Sequence, residues 1–275
     1  MIKRTALSFA VAFVLGAALA APVMAAEGTP HPPRNKWSFA GPFGTFDRAQ
    51  LQRGFKVYRE VCSVCHSIEL LTFRNLSEPG GPGYSAAQAA TVAAEFKIPD
   101  IDDSGQPTER PGRPADAFPK PFANDAQARN THGAVPPDMS VLAKARTYER
   151  GFPWFLLDMV TQFQEHGPDY IVALMHGYKE KPADFQLPEA AYYNEYFPGH
   201  VIKMKAPLTD GQVTYDDGSP ATVDQYSKDI AAFLVWAAEP HMEQRKRIGL
   251  QVMLFLIVLS GLLYFTKKKV WSAVH

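Results

Sequence analysis

Two cysteines three positions apart, with a histidine directly after the second, are the residues of this chain best placed to do chemistry. They are Cys62-Ser63-Val64-Cys65-His66, and they hold the only cysteines in the sequence. Two thiols one helical turn apart can add to the two vinyl groups of a haem, and the adjacent imidazole then swings under the iron. Other uses of the pair fit less well. A thioredoxin-type redox pair expects a buried strand before it in a βαβ unit, whereas residues 47–61 have helical spacing. Half of a zinc site would need a second cysteine pair to complete it. A covalent haem c with His66 as one axial ligand is the expectation.

The elements around the motif must position that haem. Asp47 is a good N-cap, and Leu51, Gly54, Phe55, Tyr58, Val61 and Cys62 recur on one helical face, in line with the first cysteine. Gly54 lets another helix approach closely. Before this helix, residues 27–35 read as an extended lead-in, and residues 37–46 as an irregular aromatic segment packed on the domain. After the motif, Gly80, Gly81 and Gly83 break the chain, and a short Ala-rich helix is expected over 85–96. Six prolines between Pro99 and Pro121, with Asp100, Asp102 and Asp103, predict a long surface loop. Pro136-Pro137-Asp138-Met139-Ser140 reads as a turn into a helix over 141–147. Further helices are expected over 154–164 and 169–176, a strand at Val213-Thr214-Tyr215, and a final helix over 223–239 opened by a Thr222/Gln225 capping box. Tyr226, Ile230, Phe233, Leu234 and Ala237 face its core side.

A haem with one histidine ligand is catalytic if its sixth position stays open and an electron carrier if that position is filled. Met159, Met175 and His176 fall in expected helices and read as core or surface residues. Met242 and Met253 lie at or inside the last hydrophobic segment, too far along the chain. Met139, after Pro-Pro-Asp, is a plausible ligand. Met204 is better placed, in the irregular stretch Ile202-Lys203-Met204-Lys205-Ala206-Pro207, where a thioether between two lysines is poorly explained as core. Met/His ligation is characteristic of cytochromes c.

The two ends of the chain give compartment and topology. Lys3 and Arg4, an apolar run over 6–21 and small residues at Ala21, Ala25 and Ala26 have the form of a secretory signal cleaved after Ala25 or Ala26. Residues 248–265 are uncharged and lie between Arg245-Lys246-Arg247 and Lys267-Lys268-Lys269. Their length is near the lower end of the roughly 17–25 residues that span a bilayer, so one transmembrane helix is expected. With the N-terminus exported, the Lys cluster lies in the cytoplasm, as the positive-inside rule prefers. The outer Arg-Lys-Arg cluster mildly opposes that rule and is assigned to headgroups or a partner subunit. The domain plan is a signal over 1–26, an exported haem domain over 27–244, an anchor with basic flanks over 245–269 and a cytoplasmic tail over 270–275. The whole chain balances at 28 basic and 28 acidic residues. Without the signal and the membrane flanks, 20 basic residues face the same 28 acidic ones, a net charge near −8. That argues against a nucleic-acid binder and favours a basic or neutral docking partner.

The run Arg53-Gly54-Phe55-Lys56-Val57-Tyr58-Arg59-Glu60-Val61 into the haem motif resembles the cytochrome c1 family, the haem subunits of cytochrome bc1 complexes. So do the Pro-Pro-Asp-x-Ser turn, residues 169–178 and Tyr192-Tyr193-Asn194. The stretch from Asp216-Asp217-Gly218-Ser219-Pro220-Ala221-Thr222 through Trp236-Ala237-Ala238-Glu239-Pro240 to Arg245-Lys246-Arg247 is the most specific. The resemblance implies a mainly α fold, an expanded cytochrome c-type haem domain with one C-terminal transmembrane helix. It implies Met204 as the sixth ligand, in an Ile-x-Met-x-x-Pro setting, and Met139 as a replacement for an apolar packing residue. It places Arg129, by a looser match, near a haem propionate. It also implies one-electron relay from a Rieske iron–sulfur protein to a soluble or tethered c-type cytochrome, beside cytochrome b, in a dimeric complex of the bacterial inner membrane with the haem on the periplasmic side. No catalytic site of its own is expected. The chain lacks the extra cysteine pair that braces the ligand loop in some bacterial members, so that loop must hold Met204 by packing. The rivals are another membrane-tethered cytochrome c, such as an oxidase subunit, and a haem peroxidase.

Overall fold

Asp47 starts the first helix as its sequence predicts: its carboxylate accepts from the backbone N–H groups of Ala49 and Gln50 and so caps α1, Arg48–Glu60. The computed structural model describes residues 30–146, 156 and 166–273. The expected signal, all but residue 156 of the helix over 154–164, Thr147 and Met159 lie outside the described residues. Ser85 opens α2, Ala86–Ala94, with a complete capping box to Gln88. Asn124 caps α3, Asp125–His132, which ends at Gly133 with φ 71°. The short α4, Leu142–Ala145, follows the Pro-Pro-Asp turn. Helix α5 occupies His166–His176 and α6 Val223–Ala238. The long α7, Met242–Val270, runs into a final 3-10 turn, Trp271–Ala273.

The core forms where α1 and α6 cross. A Cβ on Gly54 would stand 2.2 Å from the Asp229 carbonyl oxygen and 2.6 Å from Phe233 Cβ, so only glycine permits this approach. Phe55 and Tyr58 of α1 meet Phe233 of α6, each with ring centroids 5.8 Å apart. Phe118 lies 4.2 Å from Phe73 and extends the aromatic cluster. All five core-side residues expected on α6 are buried. At its start, Thr222 accepts from Gln225 N, but the Gln225 side chain turns instead to Asp229, at 2.9 Å. Only half of the expected capping box forms, because the Gln225 amide is drawn away to donate to the buried Asp229 carboxylate and so does not accept from Thr222 N–H.

Two other expectations are corrected. The Pro-rich stretch contains an antiparallel hairpin, β1 (Lys97–Ile101) with β2 (Pro107–Pro111). The bonds Asp102 N to Gln106 O and Gly112 N to Phe96 O fix the ladder's phase. Pro99, Pro107 and Pro111 then all fall at non-hydrogen-bonded positions, where a missing N–H costs the pairing nothing. Val213-Thr214-Tyr215, by contrast, forms no strand. Val213 and Tyr215 are buried, as alternation suggests, but the Tyr226 hydroxyl takes both backbone groups of Val213, at 3.0 and 2.6 Å. A side chain thus replaces the missing partner strand. A second small ribbon pairs β3 (Tyr192–Tyr193) with β4 (Val201–Ile202).

Among the described residues, α7 is the one helix long and apolar enough to cross a membrane. Its apolar window has a mean hydropathy of 2.3, and none of that window is buried in the protein. Its root is fastened. Glu243 accepts from Phe46 N at 2.8 Å and pairs with Arg48 at 2.7 Å. Lys246 donates to the carbonyls of Phe39 and Gly44. Glu239 pairs with Lys144 at 2.9 Å and with Arg245.

Candidate haem-binding site

Helix α1 delivers the motif. Its last residues run into a 3-10 turn over Cys62–Val64, closed by Cys65 N and His66 N, which both donate to Cys62 O, at 3.1 and 2.9 Å. Ser63 Oγ ties the turn back to Arg59 O at 2.7 Å, and the Tyr58 hydroxyl donates to His66 O at 3.2 Å. Both thiols are half-buried and unpaired with each other. Burial, with the nearby Cys65, pushes the Cys62 thiol up to about 12; burial raises Cys65 too. In a thioether neither sulfur has a proton to lose.

His66 Nδ1 stands 2.8 Å from the carbonyl oxygen of Pro137. A carbonyl can only accept, so Nδ1 carries the proton and Nε2 keeps its lone pair for a metal. Burial lowers the His66 pKa and outweighs the opposing pull of Pro137 and Asp138, which favours the neutral, ligating form. The donor set therefore fits a covalently held haem: two sulfurs on one turn and one imidazole fixed in the tautomer that ligates through Nε2.

The Pro-Pro-Asp turn is the second wall of this arrangement. Asp138 Oδ2 accepts from Ser67 Oγ at 2.8 Å and Glu69 N at 2.9 Å, while Oδ1 accepts from Ser140 N at 2.8 Å. Met139 N donates to Ser67 O at 2.8 Å, and Ser140 Oγ accepts from Leu70 N at 3.0 Å. Residues 67–70 and 138–140 are thus laced together, which holds the Pro137 carbonyl against the imidazole. Met139 itself is buried in the hydrophobic core.

The other candidates take separate places. Arg129 is on α3, its side chain 65% exposed and no nearer than 4.0 Å to Asp125. The same helix brings His132 Nε2 to 3.7 Å from Cys65 Sγ, so α3 borders the motif. Met204 follows β4 in irregular chain, half-buried between the exposed Lys203 and Lys205. Its carbonyl accepts from the Tyr178 hydroxyl at 3.2 Å. The loop is therefore held by a hydrogen bond and the β3–β4 pairing as well as by packing. Met175 packs against the core, and His176 meets Ser227 of α6 at 3.3 Å. The Pro137 carbonyl and His132 were not singled out in the sequence. Any residue can offer a carbonyl, and the one readable signal was the rigid Pro-Pro-Asp turn itself.

A family model described as the Cytochrome C1 family matches residues 37–274. A protein of Bradyrhizobium diazoefficiens called cytochrome b/c1 is 62% identical over 252 residues, which are 90% of this chain but only 37% of that longer protein. Cytochrome c1 of Blastochloris viridis is 50% identical over 275 residues, covering 98% of this chain and 96% of the relative. Cytochrome c1 of Rhodospirillum rubrum is 40% identical over 292 residues, covering 100% and 98%. Since the match takes in the haem turn, the Pro-Pro-Asp wall and the apolar C-terminal helix alike, the chain belongs to the cytochrome c1 family and carries a covalent haem c through Cys62 and Cys65.

Proposed function

We propose that this chain is the electron-transfer subunit of a quinol–cytochrome c reductase, taking one electron at a time from a Rieske iron–sulfur protein and handing it to a c-type cytochrome. When bound, the haem supplies an iron that cycles between the ferric and ferrous states. The chain's own residues set where and how. The carrying observation is the His66–Pro137 hydrogen bond, which commits the imidazole to a single ligating nitrogen.

Met204 is assigned as the second axial ligand. In support, its loop is tied at the ligand's own carbonyl by Tyr178, and the exposed Lys203 adds a second tie by donating to Glu189 O at 2.9 Å. A thioether on that side favours the reduced state and raises the potential, as a late carrier needs. Filling both axial positions leaves no open coordination site, which separates this reading from a peroxidase. Arg129, largely exposed and on the helix that borders the motif, is assigned to a haem propionate. The signal over 1–26 and the charge at the end of α7 support a periplasmic haem domain over 27–244, an anchor over 245–269 and a cytoplasmic tail over 270–275, within a dimeric complex with cytochrome b.

Met204→Leu should keep the covalent haem but lose the Met-ligated low-spin spectrum and drop the potential. An unchanged spectrum and potential would remove Met204 from the coordination sphere. Purification from native membranes tests the assembly: recovery with a b-type cytochrome and a Rieske protein is expected, and recovery alone would point to a free tethered carrier.

A further inference from the structure

The loop that roots the membrane helix presents one large apolar side chain outward. Residues 37–46 fold into a closed turn. Trp37 stacks on Phe39 and Phe39 meets Phe46, each pair with centroids 5.3 Å apart. Thr45 N donates to Ser38 O at 3.1 Å and Ala40 N to Trp37 O at 3.2 Å. A Cβ on Gly44 would stand 2.2 Å from the Ala40 carbonyl oxygen, so the turn has no slack. Trp37, Phe39 and Phe46 are buried, whereas Phe43 at the tip is 76% exposed.

A single exposed apolar side chain is ordinary on a soluble surface. Its position decides the matter here. Phe43 adjoins Gly44, whose carbonyl accepts from Lys246 Nζ at 3.3 Å; the same ammonium donates to Phe39 O at 2.6 Å. Lys246 stands two positions before Ile248, where the uncharged surface of α7 begins, a rise of about 3 Å. Lysine stems on a helix lean toward its N-terminus, so the loop lies on the headgroup side of the first apolar turn. The headgroup layer is roughly 5–7 Å deep on each face of a bilayer, enough to take in that level. Phe43 therefore stands exposed beside the root of α7, whose outward apolar surface runs from Ile248 to Phe265.

We propose that residues 41–44 form a second, peripheral membrane contact, with Phe43 lying in the headgroup–acyl boundary of the bilayer that α7 crosses. The inference rests on the reading of α7 as a membrane span. The loop is closed by its own backbone bonds and fixed to α7 through Lys246 and Glu243, so little conformational freedom is lost on contact. Two points of attachment then hold the haem domain against tilting about the helix axis.

Haem attachment consumes both native thiols, so an introduced cysteine is unique for a nitroxide label. The variants Phe43→Cys, Ile101→Cys and Leu256→Cys, made in the full haem-loaded chain and reconstituted in phosphatidylcholine–phosphatidylglycerol vesicles, are compared for accessibility to oxygen and to a water-soluble nickel chelate. Ile101 is 69% exposed on the hairpin and serves as the aqueous reference; Leu256 lies midway along α7. Position 43 should lose several-fold in nickel accessibility relative to 101 and gain oxygen accessibility, and 256 should show the full lipid pattern. A position 43 as open to nickel as 101, with 256 in lipid, overturns the loop contact alone. A position 256 open to nickel overturns the span and the contact together. Protection of position 43 found only after assembly with the b-type cytochrome would assign the loop to a protein partner and overturn the lipid contact.

Discussion

Asp138 carries three hydrogen bonds that fix the wall behind His66, and none of them touches the imidazole. Burial works against its charge, but Ser140, Glu69 and Ser67 together hold its carboxyl below the ordinary carboxylate value of 3.8. A depressed folded pKa contributes stability that is present above the unfolded value and lost as pH falls through the folded one. Asp138→Asn keeps one acceptor oxygen and turns the other into a donor facing Glu69 N–H. The expected cost is about 0.5–1.5 kcal/mol near neutral pH, the usual net worth of one hydrogen bond, because Glu69 N–H lies at an exposed residue and can turn to water. Thermal melts of both proteins should converge as pH drops below about 4, because the native chain loses the contribution the variant never had. A gap independent of pH would remove the carboxylate's charge from the account. At this scale the sequence was informative where chemistry needs a particular side chain, as at Cys62, Cys65 and His66. It was silent at the Pro137 carbonyl, which depends on the fold to arrive.

Helices α1 and α6 meet through two devices, a missing side chain and a buried charge. Gly54→Val would drive its branched side chain into the Asp229 carbonyl, and backbone cannot step aside as a flexible side chain can. Overpacking of this kind costs about 1–3 kcal/mol or more, read as a fall in the denaturation midpoint. Beside it, the Arg53 guanidinium reaches Asp229 at 3.0 Å and Asp217 at 2.7 Å. Asp229 is fully buried, so Arg53→Met leaves a carboxylate without its cation, a loss of about 3–5 kcal/mol. The paired change Arg53→Met with Asp229→Leu should recover much of that loss in the same denaturation measurement; no recovery would show that packing, not charge, dominates there. Most helices were legible because caps and apolar spacing are local signals: Asp47, Ser85 and Thr222 each open one, whereas α3, opened by Asn124, was not read from the sequence. The hairpin and the missing strand at Val213 were not. Proline normally marks a break, and only the ladder's phase reveals that three of them are harmless. Alternation at Val213 and Tyr215 reports burial, whereas a strand also needs a neighbour.

Across the whole molecule the charges divide between structure and display. The tribasic cluster before the membrane helix reads from sequence as a ligand for headgroups or a partner subunit. The fold instead engages Arg245 with Glu239 and Lys246 with two carbonyls, leaving Arg247 exposed. Its weight against the positive-inside rule falls accordingly, since two of the three cations serve the protein. The acidic excess of the haem domain remains on display, and reaction with a basic cytochrome c should slow steadily as salt rises from low to physiological ionic strength. A rate insensitive to salt would remove charge from the docking step. The anchor and the acidic balance could be read from composition, whereas the fastening of the anchor's root could not, because it joins residues some 200 positions apart. One further consequence belongs to the hairpin. An exposed two-stranded ribbon is a template on which stray chains can add strands, a hazard for a protein concentrated in the plane of a membrane. Along its outer rims, Pro99, Pro107 and Pro111 have no hydrogen to offer, and Ile101 N–H is taken by Asp100 at 2.9 Å. One outward donor is left on each strand, at Lys97 and Glu109, each beside a charge. The prolines that disguise the ribbon in the sequence also leave its rims with little to offer an added strand.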